Sequence, residues 1–110
     1  MAVTDADDLT IAFKTDEMQD KAGQASAYLK ALAHESRLMI LCLLCEGEKS
    51  VTELESLLSL RQPTVSQQLA RLRADNLVAT RRDGKTIYYS LADENVLRIL
   101  STLHDMFCRT

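Results

Sequence analysis

The sequence has no tryptophan, one proline, three glycines and only 5% aromatic residues. So little Gly and Pro excludes a collagenous, loop-dominated or low-complexity chain. The longest apolar run, residues 38–45, falls far short of the ~20 residues a spanning helix needs, so no membrane partner is expected. The start, MAVTDADDLT, is acidic and lacks the basic-then-apolar order of a signal peptide, and the expected compartment is the cytoplasm. Three cysteines, Cys42, Cys45 and Cys108, are an odd number and no disulfide framework. They remain as small buried hydrophobes, metal ligands or redox groups. Phosphate-loop, dinucleotide and nucleophile-elbow motifs are missing as well. What is there is 110 residues, 46% apolar and 26% charged. That is one domain, of a size that gains from dimerisation.

A net charge of −3 disfavours a nucleic-acid partner, but the distribution reverses the argument. Residues 1–20 carry six acids and one base, and residues 61–85 carry six bases and two acids. A local basic stretch is what phosphate binding needs, although a basic run is often only a solvated face. Residues 1–14 show no period and read as an acidic flexible tail. Residues 15–110 form the domain.

From Asp16, Met18, Ala22, Ala25, Tyr28, Leu29 and Leu32 recur at helical spacing. Leu38–Cys45 (LMILCLLC) reads as a helix buried on most sides, ended near Gly47. Ser50 and Glu53 have capping-box spacing at the start of a short helix faced by Val51, Leu54, Leu57 and Leu58. A turn over 59–62 leads to Pro63, which is tolerated in a first helical turn. Val65, Leu69 and Leu72 line one face of the next helix, which ends near Asp75-Asn76. The period then changes: Ile87, Tyr89 and Leu91 alternate, and Asp83-Gly84 signals a hairpin. Val96, Leu100, Leu103 and Phe107 mark a last helix, its apolar stripe widened by Leu97, Ile99 and Met106. The expected fold is mainly α with a small β-hairpin, a winged helix-turn-helix in the order α-α-α-α-β-β-α. Wide apolar stripes on the first and last helices predict a homodimer in which they cover each other.

In QPTVSQQLARLR (62–73), Gln62, Thr64, Ser66, Gln67, Gln68 and Arg71 lie off the apolar face. The N-terminal part of a second helix in this motif meets base edges, where Gln pairs with adenine and Arg with guanine. A solvated polar face would carry similar residues. Against that stands a surface without an acid from Arg61 to Ala74. Around the hairpin tip lie Arg81, Arg82 and Lys85. Such cations protect an edge strand or contact phosphate, and the preceding helix favours phosphate, with Arg82 and Lys85 taken as DNA-binding.

The element order, ALAHESRLMIL (31–41), QPTVSQQLARLR and TRRDGKTIYYSL (80–91) resemble the ArsR/SmtB family of winged-helix repressors over roughly residues 17–108. The resemblance implies a homodimer that binds double-stranded operator DNA and leaves it when an inducer arrives. The resemblance also implies candidate metal sites, whose ligands this sequence does not supply. SVTELESLL (50–58) holds no Cys or His. On the last helix Asp93 matches one ligand position, Asn95 stands at the next, and His104 is out of step. No metal ligand set and no cofactor is therefore expected. Cys42 with Cys108, and SQQL in the reading helix, instead resemble the sulfide- and persulfide-responsive BigR/SqrR branch. That resemblance implies Cys42 and Cys108 as the redox-sensing pair, bridged by a persulfide or polysulfide inducer. Residue chemistry alone reads Cys42 as a small core hydrophobe, and Cys45 keeps that reading. A soft-metal sensor using three sulfurs and His104 is the alternative. A thiol enzyme is not expected, because neither Cys42 in an apolar run nor Cys108 at a helix C-terminus is placed to favour a thiolate.

Overall fold

The computed structural model describes residues 15–58 and 62–108. The acidic segment 1–14 and most of the expected turn lie outside the described residues. Five helices and three short strands follow in order: α1 Thr15–Leu32, α2 Glu35–Leu44, β1 Lys49–Ser50, α3 Val51–Leu58, α4 Gln62–Ala74, β2 Val78–Asp83, β3 Thr86–Leu91 and α5 Glu94–Phe107. The strands form an antiparallel sheet in the order β1-β3-β2. This is the expected winged helix-turn-helix with one addition. Residues Lys49 and Ser50 pair with Tyr89 and Tyr88 as a third strand, too short to leave a period in the sequence.

One core joins all five helices. Ile40, Leu41, Leu54, Val65, Leu69, Leu72 and Val96 are fully buried, with Ala31, Leu32, Leu44, Leu77, Val78 and Leu100 beside them. The face read for α4, Val65, Leu69 and Leu72, is the buried one. The capping box of α3 forms as expected. The Glu53 backbone N–H donates to Ser50 Oγ at 3.2 Å, and the Ser50 N–H donates to Glu53 Oε1 at 2.9 Å. Those bonds from Ser50 hold the Glu53 carboxyl below its ordinary range.

α4 ends in a Schellman motif. The Leu77 N–H donates to the Leu72 carbonyl at 2.9 Å, and the Asn76 N–H donates to the Arg73 carbonyl at 3.0 Å. Asn76 takes the left-handed position with φ 60°. Leu77 and Leu72 are both buried at this joint, which fixes where the wing leaves the helix. Asn76→Ala should therefore lower stability by about 1 kcal/mol, and Asn76→Gly should be neutral or better, in urea unfolding. Equal losses for both would show that the left-handed backbone is not what matters there.

At the wing tip Asp83 pairs with Thr86, so the two-residue turn is Gly84-Lys85, one position later than Asp83-Gly84. Gly84 has φ 64°, which a two-residue hairpin favours at its first central position.

The expectation that α2 is buried on most sides is not met. Ile40, Leu41 and Leu44 are buried, but Met39 is 48% exposed, and Cys42 and Cys45 are exposed too. One helix face is enough to close this small core, so the opposite face stays at the surface. Similarly, residues 16–27 of α1 are all exposed, and α1 packs only through its C-terminal part.

Candidate nucleic-acid interface and thiol cleft

α4 presents Ser66, Gln67 and Arg71 at the surface, with Thr64 and Gln68 half-buried; the side chain of Gln62 lies outside the described residues. These side chains are not equally free. Arg37 donates from Nε to the Ala31 carbonyl at 2.8 Å and from Nη1 to Gln68 Oε1 at 3.3 Å. Gln68 is thus engaged in tying α4 to the end of α1. Arg71 Nε donates to Asp75 Oδ2 at 2.8 Å, one turn along the same helix. Gln67 and Ser66 have no side-chain hydrogen bond among the described residues and face outward.

The wing separates its cations. Arg81, counted at the tip by sequence, is held back along the sheet. It forms a two-pronged pair with Glu48 and stacks 4.9 Å over the Tyr88 ring. The pairing holds the Glu48 carboxyl below its usual range and raises Arg81 further. No sequence period links positions 48 and 81, which only the sheet brings together. Arg82 and Lys85 are exposed, with Arg82 Nε donating to the Gly84 carbonyl at 3.2 Å. The cations available to phosphate at the tip are therefore Arg82 and Lys85.

On another side of the body, α2 and α5 enclose an open cleft of about 280 Å³ lined by Cys42, Cys45, Leu100, Ser101, His104 and Asp105. Cys42 also borders an apolar groove with Leu38, Met39, Leu43, Leu57 and Leu58. All three thiols are free and exposed, so neither Cys42 nor Cys45 is the small core hydrophobe that residue chemistry alone suggests. Burial, and then the neighbouring Cys108, push the Cys42 thiol above its ordinary value. Burial, Cys42 and Glu46 do the same to Cys45. Cys108 caps the C-terminus of α5, and its N–H donates to the His104 carbonyl at 2.8 Å. Sequence reasoning did not single out Ser101 and Asp105, and placed Cys45 in the core or, in the soft-metal alternative, beside His104. Their only sequence signal is helical spacing: Cys45 lies one turn after Cys42, Ser101 one turn before His104, and Asp105 one turn after Ser101.

His34 begins α2 with extended backbone, its exposed side chain making no capping bond. Asp93 caps α5 by accepting from the Val96 N–H at 3.2 Å. The residue in step with a last-helix metal site is thus occupied as a helix cap. Among the described residues no group of three or more His, Cys, Asp or Glu is placed to hold a metal ion. None of their helices is long and apolar enough to cross a membrane.

The chain matches the model of the arsR family of bacterial regulatory proteins over residues 34–80. A biofilm growth-associated repressor of Agrobacterium fabrum is 47% identical over 83% of this chain and 78% of its own. The transcriptional activator HlyU of Vibrio cholerae is 44% identical over 84% of this chain. Its reduced structure superimposes with a TM-score of 0.80, covering 97% of that chain. A possible ArsR-family regulator of Mycobacterium bovis, solved in solution as a homodimeric winged helix-turn-helix DNA-binding domain, is 32% identical. Its TM-score is 0.74, over 87% of this chain and 89% of that one. With its helix-turn-helix, wing and matching relatives, the chain belongs to the arsR family of winged-helix transcriptional regulators, which are DNA-binding proteins rather than enzymes.

Proposed function

We propose that this chain is a homodimeric repressor that binds operator DNA when its thiols are reduced and leaves it when Cys42 and Cys108 are bridged by reactive sulfur. The observation that carries the reading is the cleft between α2 and α5, which Cys42 lines from α2 and which His104, one turn before Cys108, lines from α5. Cys42 and Cys108 lie 66 positions apart in sequence, and the fold sets the helices that carry them on either side of that cleft. Each belongs to a different helix, α2 or the end of α5, so a bond between them ties two elements together.

The chemistry needs no oxidant beyond the sulfane sulfur itself. A cysteine thiolate attacks the terminal sulfur of glutathione persulfide and releases glutathione thiolate, leaving a cysteine persulfide. When both cysteines carry one, the terminal sulfur of the first attacks the inner sulfur of the second. Hydrosulfide leaves and a trisulfide bridge remains. Operator affinity measured by fluorescence anisotropy, with intact mass on the same samples, tests the proposal. Affinity should fall with glutathione persulfide, as the mass gains one sulfur and loses two hydrogens. Release by zinc with no change in thiol mass would replace this reading with the metal-responsive alternative.

DNA contact is assigned to Thr64, Ser66, Gln67 and Arg71 on α4, with Arg82 and Lys85 on the wing. Gln62 is retained from its sequence position. Gln68 keeps its expected DNA contact through its amide Nε2, while its Oε1 accepts from Arg37. Gln67→Ala should cost about 1–3 kcal/mol on the operator and relax base preference. Arg82→Ala and Lys85→Ala should weaken all sequences alike and flatten the salt dependence. Competition between operator and random duplexes measures the difference. If Gln67→Ala left their ratio unchanged, α4 would not be the reading element.

A further inference from the structure

We propose that Cys45 is a second, competing partner for Cys42, so that hydroperoxide closes a local Cys42–Cys45 disulfide that spares the operator complex. The inference rests on the sensing role proposed for Cys42 and gives Cys45 a role of its own.

Both cysteines line the cleft between α2 and α5, and both thiols are free and exposed. Residues three apart on an α-helix have Cβ atoms ~5–6 Å apart, whereas a disulfide needs ~3.5–4.5 Å. The last turn of α2 begins to tighten at this pair, where the Cys45 N–H is shared between the Leu41 carbonyl at 3.1 Å and the Cys42 carbonyl at 3.2 Å. The N–H groups of Cys45, Glu46 and Gly47 each donate to the carbonyl three residues back, at 3.2, 3.1 and 3.1 Å. In such a 3₁₀ turn, side chains three apart eclipse rather than diverge. Cys45 is the C-cap of α2, so its backbone can adjust without breaking an internal helical turn.

The step balances without further reagents. The Cys42 thiolate attacks one peroxide oxygen, forming a sulfenic acid and releasing hydroxide. The Cys45 thiolate then attacks that sulfur and expels the second oxygen as hydroxide. Two thiols are oxidised, the peroxide is reduced, and both hydroxides leave as water. A bond without inserted sulfur has the shortest reach, and Cys45 is held on the same turn of α2 whatever the position of α5. A bridge lengthened by sulfur can instead span to Cys108. The local bond leaves α2 and α5 unlinked, so it carries no signal to the DNA face.

Trypsin reads the outcome directly, because Cys42 and Cys45 share the peptide 38–49 while Cys108 lies in 99–109. The reduced, DNA-competent protein is treated with hydrogen peroxide, alkylated and digested. Wild type should give peptide 38–49 two hydrogens light and unalkylated, with operator affinity unchanged. Cys45→Ser should give the cross-linked pair 38–49 and 99–109, and peroxide should now lower affinity by about tenfold. The proposal is overturned by a cross-linked pair in wild type, by loss of operator affinity in peroxide-treated wild type, or by the absence of any disulfide there. It is equally overturned if Cys45→Ser responds to peroxide as wild type does. Failure of the sensor reading shows elsewhere: persulfide would leave wild-type affinity unchanged while peroxide still closed the local bond.

Discussion

Replacing Met106 and Phe107 together by glutamate is expected to leave each chain folded, convert the dimer to monomer and lower operator affinity by about 10²–10⁴-fold, the usual gain from joining two sites. Met106 and Phe107 are 66% and 77% exposed on α5, so a single chain does not need them for its core. Only Val96 and Leu100 of α5 are buried, while its apolar stripe continues over Ile99, Leu103, Met106 and Phe107. On α1, Met18 and Leu29 are about half exposed as well. An unpacked stretch as long as residues 16–27 is a marginal helix in water, because nucleation is costly and tertiary packing must repay it. A second copy that covers α1 and α5 supplies that packing and buries both stripes. Such a dimer would also set two α4 helices about one DNA turn, ~34 Å, apart. Sedimentation at micromolar concentration, circular dichroism and anisotropy on a palindromic operator measure the three outcomes. A wild type that sediments as a monomer would overturn the dimer. So would a double variant that stays dimeric with full affinity.

The second large effect belongs to the thiols. Glutathione persulfide should lower the operator affinity of the reduced wild type by about 5–150-fold, the usual range of an allosteric coupling. Cys42→Ser and Cys108→Ser should each remove that response while binding operator normally when reduced. Cys45→Ser should keep the persulfide response largely intact. The physical reason is placement. A bridge from Cys42 to Cys108 fastens α2, which shares the core with α4, to the end of α5, the helix proposed to meet the partner chain. On the proposed reading such a bridge would change the angle between the two subunits and with it the spacing of the α4 helices. Reaction at Cys42 should also quicken as pH rises above neutral. Burial and Cys108 push that thiol upward, so its thiolate is scarce at neutral pH and grows about tenfold per unit until the raised pKa is reached. A rate of Cys42 modification that is flat from neutral to alkaline pH would contradict this. An unaltered persulfide response in Cys108→Ser would remove Cys108 from the switch.

Much of this protein was legible in its residues. Helical spacing identified the buried face of α4, Ser50 and Glu53 identified the cap of α3, and alternation after Leu77 identified the wing. These are local rules, and each depends on residues within a few positions of one another. Which side chains are free to act was not legible, because that depends on partners distant in sequence. The sheet brings Glu48 to Arg81 and so removes one wing cation from the tip. Arg37 of α2, bonded to the Ala31 carbonyl at the end of α1, also donates to Gln68, while Gln67 stays exposed. The apolar run 38–45 determined a helix but not how much of it lies inside. Hydrophobicity fixes a preference for burial, while the number of neighbouring elements decides how many faces can be covered. In this chain the core covers one face of α2 and leaves the other, with Cys42 and Cys45, opening onto the cleft beside α5.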